Sequence, residues 1–172
     1  MTSPIISTTT ISLEAAQALL AEARRACAAR GFAATIAITD AGGHLRAFER
    51  SDSVPFLTVD VAIDKAWTAA SFGIATHQWN QYMAEPTVAP LAHHPRLTPV
   101  GGGVPIFHEG RPVGGIGVSG GTSVQDHEGS DVEAQSLPKS LVNSTHIPKS
   151  RPLASVSPRQ IRDVSEYWHC PS

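Results

Sequence analysis

Lys65, set among alanines in "AIDKAWTA", is the side chain of this sequence best suited to chemistry. Its ammonium suits an anionic carboxylate, or acid and base work if burial lowers its pKa. Ala62, Ala66 and Ala69 around it point to partial burial. The alternative is a pairing with a helix neighbour on a solvated face. Thr68 lies three residues on and shares that helix face. His93 and His94, in "APLAHHPRLTPVGGG", are an imidazole pair suited to metal ligation or to proton transfer near pH 7, unless both are simply exposed on a loop. Arg96 offers a planar fork to a carboxylate, and Thr98 stands beside it. Gly101, Gly102 and Gly103 could present backbone N–H groups to an anion. His127 and Glu128 form a possible acid–base pair, while the neighbouring Asp126 reads as a first-turn acid matched to a helix dipole. Lys65, His93 and His127 are therefore the candidate catalytic residues. Thr68, Arg96, Thr98, Gly101, Gly102 and Gly103 are the candidate ligand-binding residues. His44, His77 and His108 read as solvated hairpin and helix-end residues. No spacing matches a structural zinc site, so no metal is assigned. Nucleophile-elbow, phosphate-loop and dinucleotide fingerprints are missing from the sequence.

These residues need elements to position them. "SLEAAQALLAEARRACAARG" predicts a helix near 12–30, with Ser12 as N-cap and Gly31 as the stop. "ATIAITD" and "HLRAFER", joined by "DAGG", predict a hairpin of strands near 34–40 and 44–50. A second helix is expected near 57–76, with Val59, Ile63, Ala66 and Ala70 as its more apolar side. Four prolines between 86 and 99 predict an irregular, stiff loop. "GVPIF" and "PVGGIGVSGG" predict a second hairpin, with strands near 103–107 and 113–119 turning at "HEGR". Glycines inside a strand weaken it, and the usual reason is close approach by something else. Two occupants fit: a helix packed tightly on the sheet, or a flat ligand.

Composition sets the bounds. With 172 residues the chain is one domain in size, and its 41% hydrophobic content is ordinary for a globular fold. A net charge of −2 gives no general pull toward nucleic acid or an anionic membrane. Two cysteines, Cys27 and Cys170, make no disulfide framework. No run approaches the roughly 20 apolar residues of a membrane span, and the N-terminus does not read as a secretory signal. A cytoplasmic location is the expectation, with no nucleic-acid or membrane partner.

The ordered segments "ITDAGGHLRAFER", "AIDKAWTA", "GGGVPI" and "VGGIGVSGGTSVQDHE" resemble the GlcG/HbpS family of haem-binding-related proteins, itself similar to the C-terminal domain of PduO adenosyltransferases. The resemblance covers about residues 10 to 130. It implies a profilin-like α/β (α+β) fold: an antiparallel sheet of about five strands, helices on its faces, and homo-oligomeric assembly. It also implies a small-molecule ligand. That ligand is haem or a planar aromatic carboxylate, held between the second helix and the glycine hairpin near Lys65, Thr68, His93, Arg96 and Thr98. The alternative is a cofactor-independent lyase or isomerase of aromatic carboxylates, like the hydroxylaminobenzoate lyases of nitroaromatic catabolism. The resembling domain is expected over 1–135. Residues 136–172, rich in Pro and Ser, depart from the family pattern and read as a linker-like extension or a segment docking on a neighbouring subunit.

Overall fold

The computed structural model of the chain describes residues 8–131. The extension expected over 136–172, with Cys170, lies outside the described residues. The elements are α1 (Leu13–Ala29), β1 (Thr35–Asp40), β2 (Leu45–Arg50), α2 (Leu57–Phe72), α3 (Trp79–Tyr82), β3 (Gly103–His108), β4 (Arg111–Ser119) and α4 (Ser123–Ser130). Short 3₁₀ turns at Thr76–Gln78 and Ala89–His93 carry the chain through the proline-rich region.

Local chemistry sets the boundaries. Ser12 caps α1 by accepting the Ala15 N–H at 3.2 Å, and Gly31 leaves the helix with φ +75°. Gly73 closes α2 in the left-handed conformation. Thr122 and Gln125 form a reciprocal capping box on α4. The β1–β2 turn is held by Asp40, whose carboxylate accepts the N–H groups of Gly42 and His44, both at 2.9 Å. Slight burial works against the Asp40 charge, but these N–H groups outweigh it and hold the carboxyl below its usual range.

The described strands form one antiparallel sheet in the order β2-β1-β4-β3. It has four strands where about five were expected. Alternation along the central strands gives the two faces opposite characters. Ile36 and Ile38 of β1, with Ile116 and Val118 of β4, pack against Ala16, Leu19, Ala23 and Cys27 of α1. Fully buried aliphatic side chains of this kind stabilise by roughly 1.5–3 kcal/mol each. The other face carries Thr35, Ala37 and Thr39 of β1 and Gly115 and Gly117 of β4, and α2 lies on it.

The contact with α2 is backbone against backbone. A Cβ built on Gly117 would overlap the carbonyl oxygen of Ala62 and come within 2.7 Å of the Ala66 nitrogen. One built on Gly115 would overlap the Ala66 carbonyl oxygen. Of the two occupants that the glycines allow, the helix is the one present, and it closes the space in which a ligand between α2 and the hairpin was expected. The buried side of α2 differs from the expected one for the same reason. Thr58, Ala62, Lys65, Ala66, Thr68, Ala69 and Ala70 are buried, whereas Val59 and Ile63 are only half-buried. A glycine surface selects the smallest side chains, not the most apolar ones.

Candidate functional site

Lys65 is 1% exposed and lies in the interior. Its Nζ donates to the carbonyl oxygen of Val118 at 2.9 Å and to Oδ2 of Asp126 at 2.8 Å. Oδ1 of Asp126 accepts the Gly121 N–H at 2.8 Å, so both ends of the pair are tied. Burial pulls the Lys65 ammonium below the usual lysine range, and Asp126 opposes that pull. The glycine triplet wraps this pair. A Cβ on Gly102, which has φ +117°, would lie 2.8 Å from Lys65 Nζ and 2.5 Å from the Val118 carbonyl oxygen. All three glycines are buried, and Gly102 accepts the Val118 N–H at 2.7 Å. Lys65 was expected to hold a ligand carboxylate and the triplet to offer N–H groups to an anion. The structure corrects both: the lysine already has a carboxylate, and the glycines make room for it.

Thr68 is fully buried and fastens the proline loop to α2. Its hydroxyl donates to the Arg96 carbonyl oxygen at 3.0 Å and accepts the Thr98 N–H at 3.1 Å. This brings Arg96 over the exposed side of α2. There its Nε donates to Asp64 Oδ1 at 2.8 Å, and the guanidinium carbon lies 4.7 Å from the Trp67 ring centre. His94 stacks on Trp67 at 5.6 Å with the ring planes 5° apart. A shallow hollow of about 60 Å³, lined by Trp67, Phe72, Leu91, His94 and Leu97, lies beside this stack. His93 is exposed on the same loop. Thr68 thus holds Arg96 and Thr98 against α2, with His94 on Trp67 beside them and His93 exposed on the same loop, while the Lys65 ammonium is taken up by Asp126 in the interior.

His127 is elsewhere. Its ring meets His77 at 4.2 Å between centroids, and its Nδ1 is buried without a hydrogen-bond partner among the described residues. Burial first, and the neighbouring His127 second, pull the His77 imidazole below the usual value of 6.5, against Asp131. The unfolded chain therefore takes up the His77 proton at higher pH than the folded one. This contribution to stability is complete above pH 6.5 and declines as the pH falls toward the lower folded value. The urea midpoint is expected to drop between pH 7.5 and pH 5, and less steeply in His77→Gln. Parallel pH profiles for the two proteins would exclude this coupling.

Sequence reading missed Trp67, Asp64 and the partnership of Asp126. Trp67 and Asp64 stand within "AIDKAWTA", and their spacing of three was a usable sign of a shared face. The pairing of Asp126 with a lysine 61 residues away leaves no local signal. Among the described residues no group of three or more His, Cys, Asp or Glu side chains could hold a metal, and no helix is long and apolar enough to cross a membrane.

A single antiparallel sheet with helices on both faces, and a proline loop clasped to the longer helix of one face, defines a profilin-like α+β domain. The chain belongs to the HbpS-like family, whose model, described as haem degrading protein HbpS-like, matches residues 11–131. Protein GlcG of Escherichia coli K12 is 31% identical over 109 residues, which is 63% of this chain and 81% of that protein. An uncharacterized 15.0 kDa protein of Citrobacter freundii is 31% identical over 93 residues, covering 52% of this chain; the chain spans 65% of that relative's length. The crystal structure of a double mutant of HbpS from Streptomyces reticuli superposes with a TM-score of 0.69 at 28% identity, covering 76% of this chain and 88% of that one.

Proposed function

We propose that the chain binds haem, or a smaller planar aromatic carboxylate, on the face where Arg96 and His94 meet Trp67. The observation that carries this reading is the stack itself: a guanidinium and an imidazole held against one indole, on a loop pinned by Thr68. A guanidinium has N–H donors beyond the one given to Asp64, and these suit a carboxylate or propionate. An exposed imidazole, His93 or His94, suits haem iron. The hollow of about 60 Å³ cannot enclose a porphyrin, so haem would lie across the open face or between two copies of the chain. The family description, which concerns haem degradation, supports the haem reading. Bound haem would supply a redox-active iron; Arg96 and Trp67 would orient the ring.

Titration of the purified chain with haemin is expected to shift and sharpen the Soret band. Arg96→Ala is expected to weaken binding roughly tenfold or more, the scale of one lost charged hydrogen bond. An unchanged spectrum at stoichiometric haemin would overturn the haem reading. The size of the hollow favours a second reading, a cofactor-independent lyase or isomerase of aromatic carboxylates such as hydroxylaminobenzoates. In that case an aromatic acid, and not haemin, would compete for Arg96.

Assembly into a homo-oligomer belongs to the same proposal. It rests on the resemblance to the family, and Phe56 and Leu57, adjacent in the chain and 82% and 64% exposed, are apolar side chains that a second subunit could cover. Light scattering is expected to give a multiple of 18.1 kDa. A single-subunit mass at micromolar concentration would contradict it.

A further inference from the structure

We infer that the hollow between α1 and β1 is a second ligand site, which takes a small monocarboxylate with an aliphatic or aromatic body. It lies on the sheet face opposite α2 and does not rest on the reading of the proline loop.

The hollow measures about 300 Å³ over the described residues, the lower end of the range for small-molecule sites. Its walls are Cys27 and Ala28 of α1, Phe32, Ala34 and Ile36, with Arg24 at the rim. Two glycines shape it. Gly31 turns the chain out of α1 with open space where a side chain would stand. Gly129 lets α4 close in behind: a Cβ there would lie 2.8 Å from Cys27 Sγ and 3.2 Å from Phe32 Cζ.

The polar groups on the wall are mostly spent. Ser51 also borders the hollow, and its hydroxyl donates to the Ala34 carbonyl oxygen at 3.0 Å. Burial, with Asp126 adding to it, pushes the Cys27 thiol up to about 11, so it is neutral at physiological pH and does not repel an anion. Arg24 remains. Its pairing with Glu49 is loose, at 3.7 Å with 58% of the arginine side chain exposed, so an incoming carboxylate can take the guanidinium. An apolar interior with one cation at its mouth selects a molecule that is apolar at one end and anionic at the other.

The test uses the full chain carrying Cys170→Ser, so that Cys27 is its only thiol. Octanoate is the probe and octylamine the same tail with the opposite charge. Calorimetry reads binding, and the rate of Cys27 alkylation by N-ethylmaleimide reads its place. Octanoate is expected to bind and to slow alkylation several-fold, and octylamine to do neither. Arg24→Gln is expected to raise the octanoate dissociation constant about tenfold. Ala28→Phe, at an exposed helical position beside the mouth, is expected to abolish binding. Affinity unchanged in both variants would overturn the inference, as would octanoate binding that leaves Cys27 unprotected. Failure of octanoate to bind at millimolar concentration would overturn it too, whatever the reactivity of the buried Cys27. Arg96→Ala, which weakens the proposed haem face, is expected to leave octanoate binding unchanged.

Discussion

Replacing Lys65 with Ala is expected to lower the stability of the fold by about 3–5 kcal/mol, the cost of leaving one member of a buried ion pair alone. Asp126 is 4% exposed, so its carboxylate would keep the Gly121 N–H and lose its countercharge in a site that water does not reach. The Val118 carbonyl would lose the ammonium as well, and the space inside the glycine triplet would be left empty. With 1% of its surface exposed, Lys65 belongs to the folded interior. The double change Lys65→Met with Asp126→Leu removes both charges and restores most of the loss, because apolar groups of similar volume often replace a buried pair at little cost. Urea unfolding of the two variants decides the point. A single variant within about 1 kcal/mol of the parent would mean that the pair is not enclosed as described.

Gly117→Ala is expected to cost roughly 3 kcal/mol or more, at or beyond the upper end for overpacking a core. The added methyl would meet the Ala62 carbonyl and the Ala66 nitrogen, both main-chain atoms of α2, and no rotamer change can move them aside. The helix itself must shift, taking the Lys65 and Thr68 anchors with it. Ile116→Val, next door but facing α1, serves as the comparison and should cost only about 0.5–1.5 kcal/mol. If the two variants have equal midpoints in urea, the close contact between α2 and β4 is wrong.

Much of the frame was legible in the sequence, because period and punctuation act locally. Ser12 and Gly31 bracket the first helix as caps should, and the two hairpins follow their glycine turns. The glycine strand announced that something approaches it closely. Which partner does so was not legible, since a helix and a flat ligand ask the same of a strand. The packed side of α2 escaped for a related reason: Thr58, Ala62 and Thr68 carry a weak hydropathy signal, and only the glycine surface opposite makes them the better fit. The Lys65–Asp126 pair escaped because its members stand 61 residues apart and no local pattern links them. On the loop, Arg96 and His93 could be chosen by residue type, whereas Trp67 gains its part from the stack.

The strand order β2-β1-β4-β3 also bears on how copies of the chain meet during folding at high concentration. Among the described residues the sheet ends at β2 on one side and at β3 on the other. β3 carries Pro105, a residue with no amide hydrogen, and one missing donor spoils an in-register extension there. β2 carries Arg46, Glu49 and Arg50, and a strand from another molecule would have to bring these charges close to its own. Both borders thus resist runaway ribbon growth by different means, one covalent and one electrostatic, and salt is expected to relax only the second.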